Sequence, residues 1–302
     1  MTTPYSIPQQ AIDYYARDGV VLLKQPFSRT WIDALLTEFR KILDGSAAGS
    51  TEYPVRRNKG ALNVQNVVLR NALFRRWATE SPVAELVATV IRSKTVRFYF
   101  DNFFCKEGDD PEQATPIHHD VAAFGFKGTQ LPSLWLALSD VGMDNAPLVA
   151  YLGSQRDTSV MYRSILQKPG LPLLPGYREH DDIEDYVTRG GFQRKVFPAM
   201  LGDVIILNPY TIHASLPRAA GMGGMRIGFS SRWLGDDVRW VPSVYCEVEA
   251  SSHPYEIPEG AAPPDELFPV VWDAEQGQVA RNTGKFTTHI TLEPRKGYHR
   301  RY

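Results

Sequence analysis

The chain has 302 residues, with 33 Lys plus Arg against 34 Asp plus Glu and a net charge of −1. That balance argues against a nucleic-acid binder, which carries a basic excess, while 43% hydrophobic and 22% charged residues suit a chain that buries a real core. Two cysteines cannot build a disulfide framework or a Cys-rich zinc site. No apolar run reaches the roughly 18 residues of a membrane span, and Met1–Gln10 does not read as a secretory signal, so a cytoplasmic protein is expected.

In chain order, residues 8–18 read as a short helix ending near Gly19, and Val20–Leu23 as a buried strand between Gly19 and Pro26. Ser28 is placed to cap a helix in which Trp31, Leu35, Leu36, Phe39, Ile42 and Leu43 recur at helical spacing. Residues 45–50 are a small-residue loop, and 71–92 read as one further helical stretch. From Val96 the pattern changes to strands: 96–105, then 134–138, 147–152, 195–198, 203–207 and 226–233, separated by Gly, Pro and Asp. Helices followed by many short strands point to an α+β arrangement on a sandwich or jelly roll. Residues 155–194 interrupt the strands with few strand signals, and an insertion of that length reads as a lid. The tail from 241 is expected to pack on the surface.

Seven histidines limit where neutral-pH chemistry can sit. His118 and Asp120 are two apart, a spacing that puts both side chains on one face of a strand. Non-haem iron(II) oxygenases need two imidazoles and one carboxylate on one face. The tripeptide supplies two ligands, His119 points away, and His213, after the apolar run Val204–Leu207, is the best third. Arg226 follows in the strand-like Met225–Phe229 stretch. A buried arginine needs an anion, and a guanidinium grips a carboxylate bidentately. A His-x-Asp tripeptide is weak evidence alone; the elements in this order are much stronger.

At this point the sequence resembles the phytanoyl-CoA dioxygenase family of iron(II)/2-oxoglutarate oxygenases over roughly residues 10–235. The resemblance is carried by Tyr15–Leu22, Pro116–Asp120, Leu134–Leu138, Asn145–Ser154, Gly202–Ser215 and Arg226. It implies an α+β fold, mainly β: a double-stranded β-helix (jelly roll) with flanking N-terminal helices. One catalytic domain is expected over 1–302, with a helical flank at 10–95, a core at 96–235 and an extension at 236–302. By the match, His118, Asp120 and His213 hold Fe(II) and act in catalysis. Arg226 and Ser215 take the distal carboxylate of 2-oxoglutarate, Trp135 walls its pocket, and Lys106 adds a polar contact. O2 is the second co-substrate. Gly153-Ser154-Gln155 departs from the family's usual Pro-Gly-Ser-His, which bears on the substrate more than on the metal. Asp120 is present where halogenating relatives carry a small residue, which disfavours halogenation.

The implied reaction hydroxylates, or otherwise oxidises, an unactivated C–H bond of a small molecule, releasing succinate and CO2. Tyr99, Asn102, His180 and Tyr162 are candidate substrate contacts. The insertion mixes aromatic and basic residues, Lys168 among them, with Asp181, Asp182, Glu184 and Asp185, and a specialised metabolite is favoured over an acyl-CoA. No membrane or nucleic-acid partner is expected, and monomer and homodimer both stay open. So do a non-catalytic jelly-roll binding protein and a 2-oxoglutarate-independent cupin-type dioxygenase; Arg226 speaks against the latter, which needs no dicarboxylate clamp.

Overall fold

The computed structural model describes residues 5–47, 53, 55–58, 61–108, 114–165, 173, 176–241 and 257–279. Lys168, Cys246, His253, His289 and His299 lie outside them. Helix α1 (Gln9–Asp18) ends on Gly19, whose φ of 75° is left-handed, and passes directly into strand β1 (Val20–Leu23). Helix α2 (Arg29–Asp44) starts where the Ser28 hydroxyl accepts from the Trp31 N–H. A hairpin follows, β2 (Val55–Asn58) and β3 (Ala61–Gln65), that the sequence reading did not contain. Then come α3 (Val67–Arg70), α4 (Ala72–Glu80) and α5 (Val83–Ile91). The helical stretch expected over 71–92 is therefore two helices. Pro82 disfavours helical backbone at Ser81, which is extended at φ −81°, ψ 166°.

The strands are β4 (Thr95–Glu107), β5 (Phe126–Lys127), β6 (Ser133–Ala137), β7 (Leu148–Leu152), β8 (Met161–Tyr162) and β9 (Tyr177–Arg178). After α6 (Ile183–Arg189) come β10 (Gln193–Phe197), β11 (Val204–Leu207), β12 (His213–Ser215), β13 (Met225–Leu234), β14 (Arg239–Trp240), β15 (Val270–Asp273) and β16 (Gly277–Gln278). A large sheet runs β1-β11-β6-β13-β4-β15-β16, with β3 also on β4 and β2 on β3. A small sheet runs β10-β7-β12 and is extended by an antiparallel bridge between His118 and His213. Two facing antiparallel sheets with helices on one side make the expected jelly roll.

Alternation along the strands divides the molecule into two interiors. Leu134, Leu136, Ile206, Ile227 and Phe229 face the helices, while Trp135, Ala137, Leu148, Ala150, Phe197 and Ile205 fill the space between the sheets. Phe229 is fully buried, with ring centroids 4.7 Å from Phe103, 5.1 Å from Trp77 and 5.2 Å from Phe74. Phe229→Ala should cost about 3–5 kcal/mol, read as a lowered midpoint in urea unfolding.

A third cluster, Tyr99, Phe100, Phe124, Phe126, Leu131, Leu234, Val238 and Phe268, closes one end of the barrel. Trp240 packs on this cluster, its ring centroid 5.1 Å from that of Phe126, while Trp233 belongs to the core under the helices. Part of the tail, expected only to lie on the surface, joins the large sheet through β15 and β16. The described part of the 155–194 insertion packs Tyr162, Ile183 and Val187 against Ile212, Ile117 and Tyr151. That is the outer face of the small sheet, where a cleft of about 520 Å³ lies between Val149, Tyr151, Ala214 and Arg194 on one side and His180 and Ile183 on the other. Among the described residues no helix is long and apolar enough to cross a membrane.

Candidate active site

His118 and His213 stand on neighbouring strands whose main chains bond in both directions, His118 N–H to the His213 carbonyl at 2.9 Å and His213 N–H to the His118 carbonyl at 2.8 Å. Their rings therefore leave one sheet side by side, centroids 4.2 Å apart. Each Nδ1 lies by a carbonyl two residues back: Pro116 at 2.8 Å for His118, Thr211 at 2.9 Å for His213. A carbonyl only accepts, so each Nδ1 carries the proton and each Nε2 lone pair is free. Both Nε2 atoms face Asp120 Oδ1, at 3.6 Å and 3.7 Å. The ligand atoms of all three residues lie within 4.8 Å of one another. A two-histidine, one-carboxylate face is the iron(II) donor set, and carbonyl-oriented imidazoles are its usual support.

The strand argument that joined His118 to Asp120 holds for only half its length. His119 is extended at φ −125°, ψ 148°, but Asp120 begins a 3-10 turn over Asp120–Ala123. The turn is held by the Val121 N–H on the Pro209 carbonyl at 3.0 Å, and Asp120 Oδ2 accepts from the Ser133 hydroxyl at 2.5 Å. Burial alone would push the Asp120 carboxyl up, but His118, His213 and Arg232 outweigh it and hold it well below the usual range. Burial, with His118 adding, pushes His213 down to about 4, so its ring is neutral and available to a metal at pH 7.

His119 does point away from this face. Its Nε2 accepts the Tyr162 N–H at 2.9 Å, and burial pushes its pKa down to about 4. It fastens the metal turn to the insertion. Tyr162 is fully buried there, its ring centroid 6.0 Å from His119 and 6.2 Å from His180. Tyr99 sits in the aromatic end cluster. Gln155, the departure from the family pattern, donates to the Arg17 carbonyl at 3.1 Å, and Ser154 Oγ accepts the Ile212 N–H at 2.9 Å. These bonds dock the start of the insertion on α1 and on the approach to His213.

The other end of the inter-sheet space is cationic. Arg226 is 4% exposed; it donates to the Ala146 carbonyl at 3.2 Å and to the Phe104 carbonyl at 3.4 Å, and its guanidinium carbon lies 4.7 Å from the Trp135 ring centre. Its Nε is buried with no partner. Lys106, paired with Arg226 across β4 and β13, donates to the Ser215 hydroxyl, which also receives the Thr115 N–H at 2.8 Å. Arg218 is spent on Asn145, the Lys106 carbonyl and the Gly223 carbonyl. Burial pushes Lys106 down to about 7 and Arg226 to about 10, with repulsion among these cations adding. Among the described residues no ion pair joins Lys106, Arg218 or Arg226 to an acid. Buried unpaired cations of this kind make a site for an anion.

A family model for phytanoyl-CoA dioxygenase matches residues 15–222, more than half of the chain. The chain belongs to the phytanoyl-CoA dioxygenase family. It is thereby an Fe(II)/2-oxoglutarate-dependent dioxygenase, with iron as metal and 2-oxoglutarate as co-substrate. Solved structures of similar fold include the α-ketoglutarate-dependent epimerase SnoN from nogalamycin biosynthesis, at 21% identity, TM-score 0.63, over 87% of this chain and 97% of that one. The carbocyclase SnoK from the same biosynthesis gives 18% identity and TM-score 0.67 over 89% and 98%. EctD from S. alaskensis with bound Fe gives 16% and 0.58 over 78% and 79%. No curated protein matches the sequence.

One site residue of this dioxygenase escaped the sequence reading. Arg232 is 6% exposed, lies on the same face of β13 as Arg226, and is electrostatically coupled to Asp120. Its even spacing from Arg226 in a predicted strand was the available signal. Asn102, a candidate substrate contact, holds this arginine, accepting from Arg232 Nη1 at 3.0 Å.

Proposed function

We propose that this enzyme oxidises a C–H bond of a small molecule, a specialised metabolite, at iron held by His118, Asp120 and His213. The observation that carries the reading is a three-ligand face with a set of buried, acid-free cations, Arg226 and Lys106, on the same inter-sheet side. Iron bound there with 2-oxoglutarate supplies oxidative decarboxylation to succinate and CO2, coupled to oxidation of the substrate. The two histidines are oriented by the Pro116 and Thr211 carbonyls, and Ser133 fixes the Asp120 carboxylate. Arg226, Lys106 and Ser215 take the distal carboxylate of the co-substrate, and Trp135 walls the pocket behind Arg226. Buried apolar neighbours such as Ile205 and Ala150 keep water from that end. The nogalamycin-pathway neighbours, an epimerase and a carbocyclase, support a metabolite as substrate and outcomes besides hydroxylation.

The test is anaerobic addition of Fe(II) and 2-oxoglutarate, which should give a weak visible charge-transfer band in the native protein and none in His118→Ala. A band of equal strength in both would overturn the assignment. A screen for substrate-dependent succinate then identifies the metabolite.

Lys106 gives this site a pH dependence. Its pKa in the free protein is about 7, and the co-substrate carboxylate needs the charged form. Below that value the lysine is already protonated. Above it, binding must take up a proton, so the Kd for 2-oxoglutarate should rise by up to about tenfold per pH unit. Lys106→Met should bind more weakly and lose the slope; an unchanged slope would assign the titration to another group.

A further inference from the structure

The two sheets are unequal in width. β3 pairs with β4 through Asn63↔Phe104 and Gln65↔Asn102, so the large sheet continues past the edge at which, among the described residues, the small sheet ends with His118. On β3, Leu62 and Val64 are buried against the helices, while Ala61, Asn63 and Gln65 are part exposed on the other face, the face of Asn102, Phe104 and Lys106. The overhang is thus a shelf on the same face of the large sheet as Arg226, Ser230 and Arg232.

Phe104 on this shelf is 38% exposed, the one exposed phenylalanine among the described residues. Beside it Arg232 lies between two rings, its guanidinium carbon 4.9 Å from the Phe100 centroid and 5.5 Å from that of Phe104. Asn102 and the Ser230 carbonyl hold Arg232 Nη1, but the buried Nε has no partner. Asn102 in turn donates to Asn63 at 3.4 Å. A line of side chains therefore runs from Asp120 through Arg232 and Asn102 to Asn63, with Phe104 alongside.

We propose that this shelf is the substrate platform and that it takes an oxygen-bearing aromatic small molecule. The proposal rests on iron at His118, Asp120 and His213. A planar ring gains an aromatic partner in Phe104, beyond which the Arg232 guanidinium lies 5.5 Å from the ring centre. Its oxygens, as phenol, carbonyl or carboxylate, meet the part-exposed carboxamides of Asn63 and Gln65, with the buried Arg232 charge behind them. The shelf residues Asn63, Gln65, Asn102, Phe104 and Arg232 include no acid. Asp101 is turned to the Val67 and Val68 N–H groups and Asp120 to the metal face. An ammonium substrate would find no counter-charge here. A substrate seated this way has one end at Asp120, where the reaction occurs.

The test uses full-length protein with Fe(II) and 2-oxoglutarate under anaerobic conditions and 2-naphthol, a fluorescent phenol that does not chelate iron, as probe, with cyclohexylammonium as the cationic comparison. Probe fluorescence should saturate and the charge-transfer band should shift, while cyclohexylammonium does neither. Phe104→Ala and Asn63→Leu should each weaken the probe by about tenfold, Phe104→Trp should restore it, and 2-oxoglutarate affinity should stay within about twofold in all three. No saturable probe binding, equal binding by Phe104→Ala and Asn63→Leu, or displacement of the probe by cyclohexylammonium would overturn the shelf. Fluorescence reports the probe independently of the band. Absence of the band with Phe104-dependent probe binding intact would fall on the iron assignment and leave the shelf standing.

Discussion

His213→Ala should abolish 2-oxoglutarate turnover and weaken iron by more than about a hundredfold, the upper end of what losing even an outer partner of a metal ligand costs. Two donors would remain, His118 and Asp120, and two do not define a face. The fold should survive, because the His118–His213 pairing is made by main-chain groups that alanine retains. Iron titration and thermal unfolding measured side by side make the distinction. Lost iron with an unshifted midpoint is the expected pair, and wild-type turnover by the variant would refute the ligand assignment. Ser133→Ala gives a graded comparison: it leaves all three ligands but frees Asp120 Oδ2, and should cost about 10–100-fold in iron affinity or activity.

Arg226→Ala should raise the Kd for 2-oxoglutarate by about a hundredfold, as expected for truncating one partner of a buried charge-assisted contact. Iron affinity should move by no more than about twofold, since Arg226 belongs to the cationic end and the ligands to the other. Lysine should recover only part of the loss, because an ammonium cannot reproduce the planar fork lying by Trp135. The Ala146 and Phe104 carbonyls also lose a donor, so a modest stability cost of about 1–3 kcal/mol accompanies the binding defect. Equal effects on iron and 2-oxoglutarate would make Arg226 a structural residue.

These residues were legible because strand periodicity and family spacing agree on them. His118, His213 and Arg226 each fall beside an apolar run that is a strand, and residue type plus position then constrains direction. Asp120 was found for a partly wrong reason, since a 3-10 turn, not strand alternation, brings its carboxylate round. Arg232 went unread because one arginine already filled the expected role. The β2–β3 hairpin was invisible because Arg56, Arg57, Asn58 and Lys59 interrupt the segment and β3 is only half covered, so it lacks the apolar run that marks the core strands. Tyr99 and Tyr162 pack in the aromatic end cluster and against the insertion, a placement that aromatic character alone does not reveal.

The reciprocal bonds between His118 and His213 carry a consequence for how the enzyme lives with oxygen. Both imidazoles are held in place by the polypeptide itself, so the binding face is assembled before any ion arrives. Emptying it with a chelator, or losing iron to oxidation, should leave a folded shell that regains full turnover when Fe(II) is returned. Air-inactivated protein, stripped by chelator and given fresh Fe(II), should then recover its turnover, and turnover that stays lost would mean that the face itself had been altered.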